Sequence, residues 1–329
     1  MKSKILVTGG AGYIGSITVQ ELIKAGYEVV VFDNLVHGHK EAIKGVQLIE
    51  ADLLDKKAVN KAFSGHKFDA VIHFAAYALA GESMTDPAKY FENNIIGGTN
   101  LLEAMRKHEV KNFVFSSTCA VYGFPENLPV TENESHKPVS VYGQSKDMFE
   151  NVLDWYDKLF NIKHINLRYF NACGAALDGS TGEAHSPESH IIPIAIEAAL
   201  GKRDKFTIFG DDYKTDDGTC VRDYIHILDL ASAHIKALEY LKGKDKSNAF
   251  NLGTGNGYSN KKIIDTVRKV SGKDFKVVIG PRREGDPDAI FADNTKAVND
   301  LGWEPKYSDL DTIIKSAYKW HKSHPNGYS

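Results

Sequence analysis

KILVTGGAGYIGS, residues 4–16, is the stretch on which the fold turns. Ile5, Leu6 and Val7 are apolar at consecutive positions, as in a parallel strand buried on both faces, and the run 4–10 ends in glycine. SITVQELIKAG (16–26) then shows helical spacing and stops at Gly26, a natural helix end. Between the two stand Gly9, Gly10, Gly12, Tyr13, Ile14 and Gly15. Small residues at that place let the backbone approach a pyrophosphate. The helix beginning near Tyr13 aims free N–H groups and the positive end of its dipole at the same spot. The competing reading is a tight turn that needs glycine only for sterics. The strand before it and the helix after it are the context the binding motif requires.

Working outward, the same rhythm repeats. Strands are expected over 28–34, 46–52, 69–76, 112–118 and 164–171, and helices over 58–65, 87–110 and 147–160. Such alternation predicts an α/β fold, a doubly wound parallel sheet of Rossmann type with helices on both faces. The second strand ends at Asp33, 18 residues past Gly15. A carboxylate there accepts hydrogen bonds from a ribose hydroxyl and repels a 2′-phosphate, which selects NAD over NADP. Asp52 ends the third strand, where such folds contact adenine, and Phe74-Ala75-Ala76 leaves room for a cofactor over the sheet edge.

After about residue 172 the pattern loosens. Residues 173–189 read as a long loop. A helix (193–200), a strand (205–210), a polar loop (211–219), a helix (228–241), a strand (249–255), a helix (260–271) and a strand (276–280) follow. The expected division is a cofactor domain over 1–172 and a smaller mixed α/β domain over 173–329. Segments at about 220–242 are candidates to return to the first.

Composition bounds the function. The chain has 329 residues, 42% hydrophobic and 25% charged, with a net charge of −3. That is ordinary for a globular protein and carries no basic excess for nucleic acid. No apolar run approaches the ~20 residues that span a bilayer, and the first residues reach glycine too soon for a signal peptide. Cys119, Cys173 and Cys220 are odd in number and match no zinc or redox spacing, so reduced thiols in a cytoplasmic protein and no metal are expected.

SVYGQSKDMFE (140–150) raises the chemical question. Tyr142 and Lys146 are four residues apart, so on a helix they share a face. Alone the pair is common. Here Ser116-Ser117-Thr118 ends the fifth strand, and strand ends converge on the crevice where ligands bind. Tyr142, Lys146 and the Thr118 hydroxyl are then expected at the nicotinamide end. A tyrosine with pKa ~10 is only about 0.1% ionised at neutral pH, and lowering it ~3 units takes about 4 kcal/mol. A lysine ammonium and an oxidised nicotinamide are the expected source. The phenolate then removes a proton from a substrate hydroxyl as hydride leaves.

VTGGAGYIGS, FDNL, VIHFAA, GES, NNIIGGTNLL, FSST with AVYG, YGQSK, LRYFNACGA, TIFGDDYKTDDGTCVRDYIH, NLGTG, PRREGDP and HPNGY run nearly end to end. In these stretches the chain resembles the extended short-chain dehydrogenase/reductases, and within them the nucleotide-sugar epimerases. The resemblance implies NAD that stays bound and a substrate pair of UDP-galactose and UDP-glucose, interconverted through a 4-keto sugar in galactose metabolism. It adds Asn34, Leu53, Asn93 and Tyr169 to the cofactor contacts. It assigns the UDP-sugar to Asn171, Phe209, Arg222, Tyr224, Arg283 and Asp286. Two arginines suit a pyrophosphate. It also implies a homodimer through helices 87–110 and 147–160, where covering the sheet is the competing use. Departures from the family are Ala78, where many members carry lysine, and Ile290, at the position thought to gate N-acetylated sugars. Thr118-Cys119-Ala120 lacks the acid and base of a 4,6-dehydratase. A silent NAD-binding protein would be free to lose Tyr142 or Lys146, and a dehydrogenase with net turnover stays open.

Overall fold

The computed structural model describes residues 2–283 and 286–328. Its centre is a seven-stranded sheet. The strands are β1 (Lys4–Thr8), β2 (Glu28–Asp33), β3 (Gln47–Glu50), β4 (Ala70–His73), β5 (Asn112–Thr118), β6 (Lys163–Tyr169) and β11 (Asn248–Leu252). They lie in the order β3-β2-β1-β4-β5-β6-β11, every neighbour parallel. Strand alternation builds two cores. Ile5 and Val7 point into one face, covered by α1 (Tyr13–Lys24) and α8 (Ile227–Lys244). Leu6 points into the other, covered by α2 (Lys56–Gly65), α5 (Gly98–Lys107) and α6 (Val141–Phe160). The order reverses between β1 and β4, so the crevice at their C-terminal ends is where a ligand is expected.

Two elements depart from their expected limits. The helix expected over 87–110 runs as α4 (Pro87–Phe91), a π-type turn over Glu92–Gly97, and α5, preceded by the short α3 (Ala80–Ser83). The helix expected from 147 begins six residues earlier, at Val141. Ser140 caps it by accepting from the Gly143 amide at 3.1 Å, a local signal that apolar periodicity does not carry.

The second lobe has its own core on α7 (Ile191–Ala199), α9 (Asn260–Ser271) and α10 (Leu310–Ser323). Its strands are short. β7 (Asn171–Cys173) pairs with β10 (Tyr224–His226), and β8 (Phe206–Phe209) with β13 (Val277–Gly280). β9 (Val221–Arg222) lies between β12 (Tyr258–Ser259) and β14 (Ala289–Ile290). The boundary drawn at 172 needs amending. The returning stretch goes past residue 242 and includes β11, which pairs with β6 along Asn248–Leu252. The sheet edge beyond β6 would otherwise be open, and a strand from the far part of the chain closes it. No described helix is long and apolar enough to cross a membrane.

Candidate active site

A cavity of about 390 Å³ opens at the switch point. Its floor is the loop after β1, with Gly9, Gly12, Tyr13, Ile14 and Gly15 in the wall. The three glycines are there for different reasons. Gly9 has φ +71°, and a Cβ on it would stand 2.5 Å from the Ala75 nitrogen. A Cβ on Gly15 would meet the Gly9 carbonyl at 2.2 Å. Both are demanded by the protein's own packing, as the steric reading holds. A Cβ on Gly12 would meet nothing closer than 3.4 Å. Sterics therefore do not explain Gly12, which caps α1. The Tyr13 and Ile14 amides just beyond it take no acceptor among the described residues. Free helix-start amides beside a residue with no side chain fit an anionic ligand.

Asp33 lies in the wall with its carboxylate accepting from Ala11 N at 2.9 Å and Leu35 N at 2.8 Å. Burial raises its pKa, against those two bonds. Asn34 and Leu53 also line the cavity, as do Phe74, Ala75, Ala78, Asn93, Tyr169 and Asn171. Asp52 is placed otherwise. Its carboxylate accepts from Asn34 Nδ2 and Leu54 N, both at 2.8 Å, and it stands behind Asn34 rather than in the wall. The Tyr13 hydroxyl donates to the Gly174 carbonyl at 2.6 Å, joining the two lobes.

Thr118, Tyr142 and Lys146 meet at one end of this cavity. Lys146 Nζ donates to the Ser116 carbonyl at 2.8 Å and lies 4.8 Å from the centre of the Phe115 ring. The Thr118 hydroxyl accepts from Ala120 N at 3.1 Å. The protein's own groups do not supply the lowered phenol pKa expected from the sequence. Burial pushes the Tyr142 phenol up to about 12, and a hydrogen bond with Thr118 only partly offsets it. Burial likewise pushes the Lys146 ammonium down to about 7, against the pull of Glu150. Both groups are driven toward neutrality in a dehydrated wall.

Several residues of this end are not singled out by the sequence reading. The buried Ser83 hydroxyl accepts from the Tyr142 amide at 3.0 Å, holding the first turn of α6. Asn94, in the π-type turn, donates to Ser145 Oγ at 3.0 Å and to the Tyr77 carbonyl at 3.1 Å. A further wall comes from the loop 173–189, where Glu183 and His185 line the cavity, and from His190 just past it. His185 and His190 place Nδ1 at 2.9 and 2.7 Å from Glu183 Oε1, and Glu188 Oε1 is 3.1 Å from His190 Nδ1. Ligand atoms of these four residues lie within 4.8 Å of one another, close enough for a metal ion. The group is also satisfied internally, since Glu188 takes the Ser189 and His190 amides. The spacing E-x-H-x-x-E-x-H was the available signal.

The residues expected for the UDP-sugar divide. Asn171 is in the cavity wall, its amide donating to the Asp223 carbonyl at 2.8 Å. Phe209, Arg222, Arg283 and Asp286 form a separate cluster on the second lobe. Arg222 donates to the Val221 and Pro287 carbonyls at 2.8 and 2.9 Å and sits 3.3 Å from Asp286. The Arg283 guanidinium lies 4.1 Å from the Phe209 ring centre. Residues 284 and 285 of that stretch lie outside the described residues. The Arg222 charge acts on Cys119, which lines the cavity beside Thr118, so the cluster approaches the reactive end. Tyr224 does not belong to it. At 3% exposure it is part of the second lobe's core. Ile290, 8% exposed, packs with Tyr122, Phe170 and Ala292.

These surroundings place the protein among enzymes that hold a dinucleotide across a strand-order reversal. The chain belongs to the NAD dependent epimerase/dehydratase family, whose model matches residues 5–253. It is 50% identical over 326 residues to a UDP-glucose 4-epimerase of Lactobacillus helveticus, covering 99% of each chain. A UDP-glucose 4-epimerase of Brucella ovis, solved in complex with NAD, superimposes with a TM-score of 0.94 at 46% identity, covering 96% of this chain and 97% of that one. The Bifidobacterium longum UDP-glucose 4-epimerase, solved with NAD+ and UDP, does so with a TM-score of 0.93 at 36% identity, covering 99% and 100%.

Proposed function

We propose that the protein is an isomerase that interconverts UDP-galactose and UDP-glucose with a retained NAD. The observation that carries the reading is the meeting of Tyr142, Lys146 and Thr118 at one end of a cavity floored by Gly12 and the free amides of α1. NAD, when bound, supplies a hydride acceptor that can return what it takes. Gly12 and the amides of Tyr13 and Ile14 hold its pyrophosphate, on a loop whose close packing Gly9 and Gly15 allow. Asp33, with Asn34 beside it, binds a ribose, and Asp52 acts through Asn34. Leu53, Phe74, Ala75, Asn93 and Tyr169 line its path.

Tyr142 takes the proton of the sugar's 4-hydroxyl while hydride leaves C4. Thr118 orients that hydroxyl, and Lys146, one helical turn along, favours the phenolate. The 4-keto sugar then turns over, and Tyr142 returns the proton as hydride reaches the opposite face. Turning over requires the nucleotide to stay held while the sugar is released. Asn171, Phe209, Arg222, Arg283 and Asp286 suit that task, the arginines by pairing with phosphate. Cofactor and nucleotide are thus divided between the first and second lobes.

Two coarser readings accompany this one. α6 carries Met148, Trp155 and Leu159 exposed at helical spacing, and Ile96 is exposed on the helical segment 87–107, which supports a homodimer through these helices. The three free cysteines suit a reducing cytoplasm.

The test is incubation of the purified protein with UDP-galactose and no added NAD, following UDP-glucose by chromatography. Conversion toward a mixture, with no stoichiometric NADH, is expected. No conversion even with NAD added overturns the reading.

A further inference from the structure

The HPNGY stretch has no place in the chemistry above, yet it reaches the cavity at one remove. Glu183 and His185 are cavity wall, and the His185 ring meets Tyr13 edge-on with centroids 6.0 Å apart. The backbone that carries them, around residues 182–184, is in neither helix nor strand. Three side chains from elsewhere hold it. Tyr328 Oη donates to the Gly182 carbonyl at 3.0 Å and accepts from the Gly182 amide at 3.1 Å. Trp320 Nε1 donates to the Glu183 carbonyl at 2.8 Å. His39 Nε2 is 3.1 Å from the Ala184 carbonyl.

The rings of these three form a row, with centroids 4.9 Å apart for His39 and Tyr328 and 4.8 Å for Tyr328 and Trp320. Gly182 fits beneath it only as glycine, because a Cβ there would stand 2.4 Å from the indole. Gly327, at φ +70°, turns the chain so that Tyr328 can enter the row. His39 belongs to the first lobe. It follows His37 and Gly38 of the cavity wall, and its amide donates to the Ala11 carbonyl at 2.9 Å. Tyr328 therefore touches the backbone of one wall and the ring of a residue beside the other, without lining the cavity itself.

We infer that Tyr328 is a positioning residue for cofactor retention, holding the Gly182–His185 wall closed over the bound dinucleotide. The inference rests on the NAD reading above. A reaction without net redox change has reason for such a clamp, since a cofactor lost in mid-cycle leaves the sugar stranded as the ketone.

The test compares Tyr328→Ala and Tyr328→Phe with the unaltered protein. Dinucleotide is released by denaturing protein that has passed through gel filtration, its off-rate is measured on dilution, and kcat is measured at saturating added NAD. Tyr328→Ala is expected to lose dinucleotide about tenfold faster or more, since contacts made only in the complex act on the off-rate. Its activity then depends on added NAD, with kcat restored to within about twofold of the unaltered protein. Tyr328→Phe keeps the ring row but not the two hydrogen bonds and is expected in between. It decides the matter if Tyr328→Ala does not fold. Dinucleotide held as firmly by both variants as by the unaltered protein overturns the inference, and so does a fall in kcat that NAD does not restore. Failure of the NAD reading would show separately, as an unaltered protein that yields no dinucleotide.

Discussion

The two lobes hold their parts of the site in opposite ways. In the first lobe the side chains and amides are fixed before anything binds. Gly9 and Gly15 are pressed against backbone, Asp33 is tied to two amides, and Lys146 is buried on the Ser116 carbonyl. In the second lobe the polar groups are satisfied by one another. Arg222 leans on Asp286 and two carbonyls, and Arg283 covers Phe209. The first arrangement suits a cofactor that never leaves. The second suits a substrate that must come and go, because the arginines exchange existing partners for phosphate at little net cost.

The largest effect expected from this comparison comes from its fixed side. Tyr142→Phe should lower kcat for UDP-galactose conversion by about 10³-fold, within the range for a lost general acid–base group, with dinucleotide content unchanged. Gly12→Ala should next reduce NAD affinity by about a hundredfold in a titration, while the melting temperature moves by only a few degrees. Gly15→Ala should fail to fold, because its Cβ has no space. If the two behaved alike, the separation of packing glycines from the binding glycine would be broken.

On the exchangeable side, Arg222→Ala should raise KM for the UDP-sugar about ten- to hundredfold, as for a lost charge-assisted bond of ~1.5–3 kcal/mol, with little change in kcat. A matching loss of bound NAD would show that the lobes do not divide the work. If copies of the chain pair through the exposed face of α6, as proposed, Trp155→Glu should lower the sedimentation coefficient at micromolar concentration from the dimer's to the monomer's and leave dinucleotide in place. An unaltered protein that already sediments as a monomer would remove the dimer reading.

The smallest effect is on stability. Burial opposes the charge on His190, but Glu183 and then Glu188 carry its pKa up to about 10. A folded value above the unfolded ~6.5 means that the stabilisation is complete below about pH 6.5 and is lost as pH climbs toward 10. The melting-temperature gap between the unaltered protein and His190→Gln should therefore be widest near pH 6 and close near pH 10. The imidazole is about half exposed, with side-chain exposure of 47%, so salt should narrow the gap. A gap that does not change with pH would remove the ion pair from the account.

How much was legible follows from where each signal sits along the chain. The glycine loop, Asp33 and the Tyr142–Lys146 spacing are local, and backbone geometry alone sends them to one sheet edge. Asp52 is read from its strand-end position alone, and that position does not reveal that its carboxylate accepts from Asn34 and Leu54. Tyr224, which the family resemblance assigns to the substrate, is buried in the second lobe's core, and a three-residue strand gives no alternation that would announce this. Ser83, Asn94 and Tyr328 act through contacts spanning 59, 51 and 146 residues, which no window reveals.

By itself the sequence determined the doubly wound sheet, the place of its crevice and the convergence of Tyr142 and Lys146 on it, because strand and helix periods and glycine sterics act between near neighbours. Tertiary structure alone decided that β11 completes the sheet, that burial drives Tyr142 and Lys146 toward neutrality, and that a distant tyrosine braces the cavity wall. Dehydration and long-range contact depend on what the folded chain brings together, and no local pattern records it.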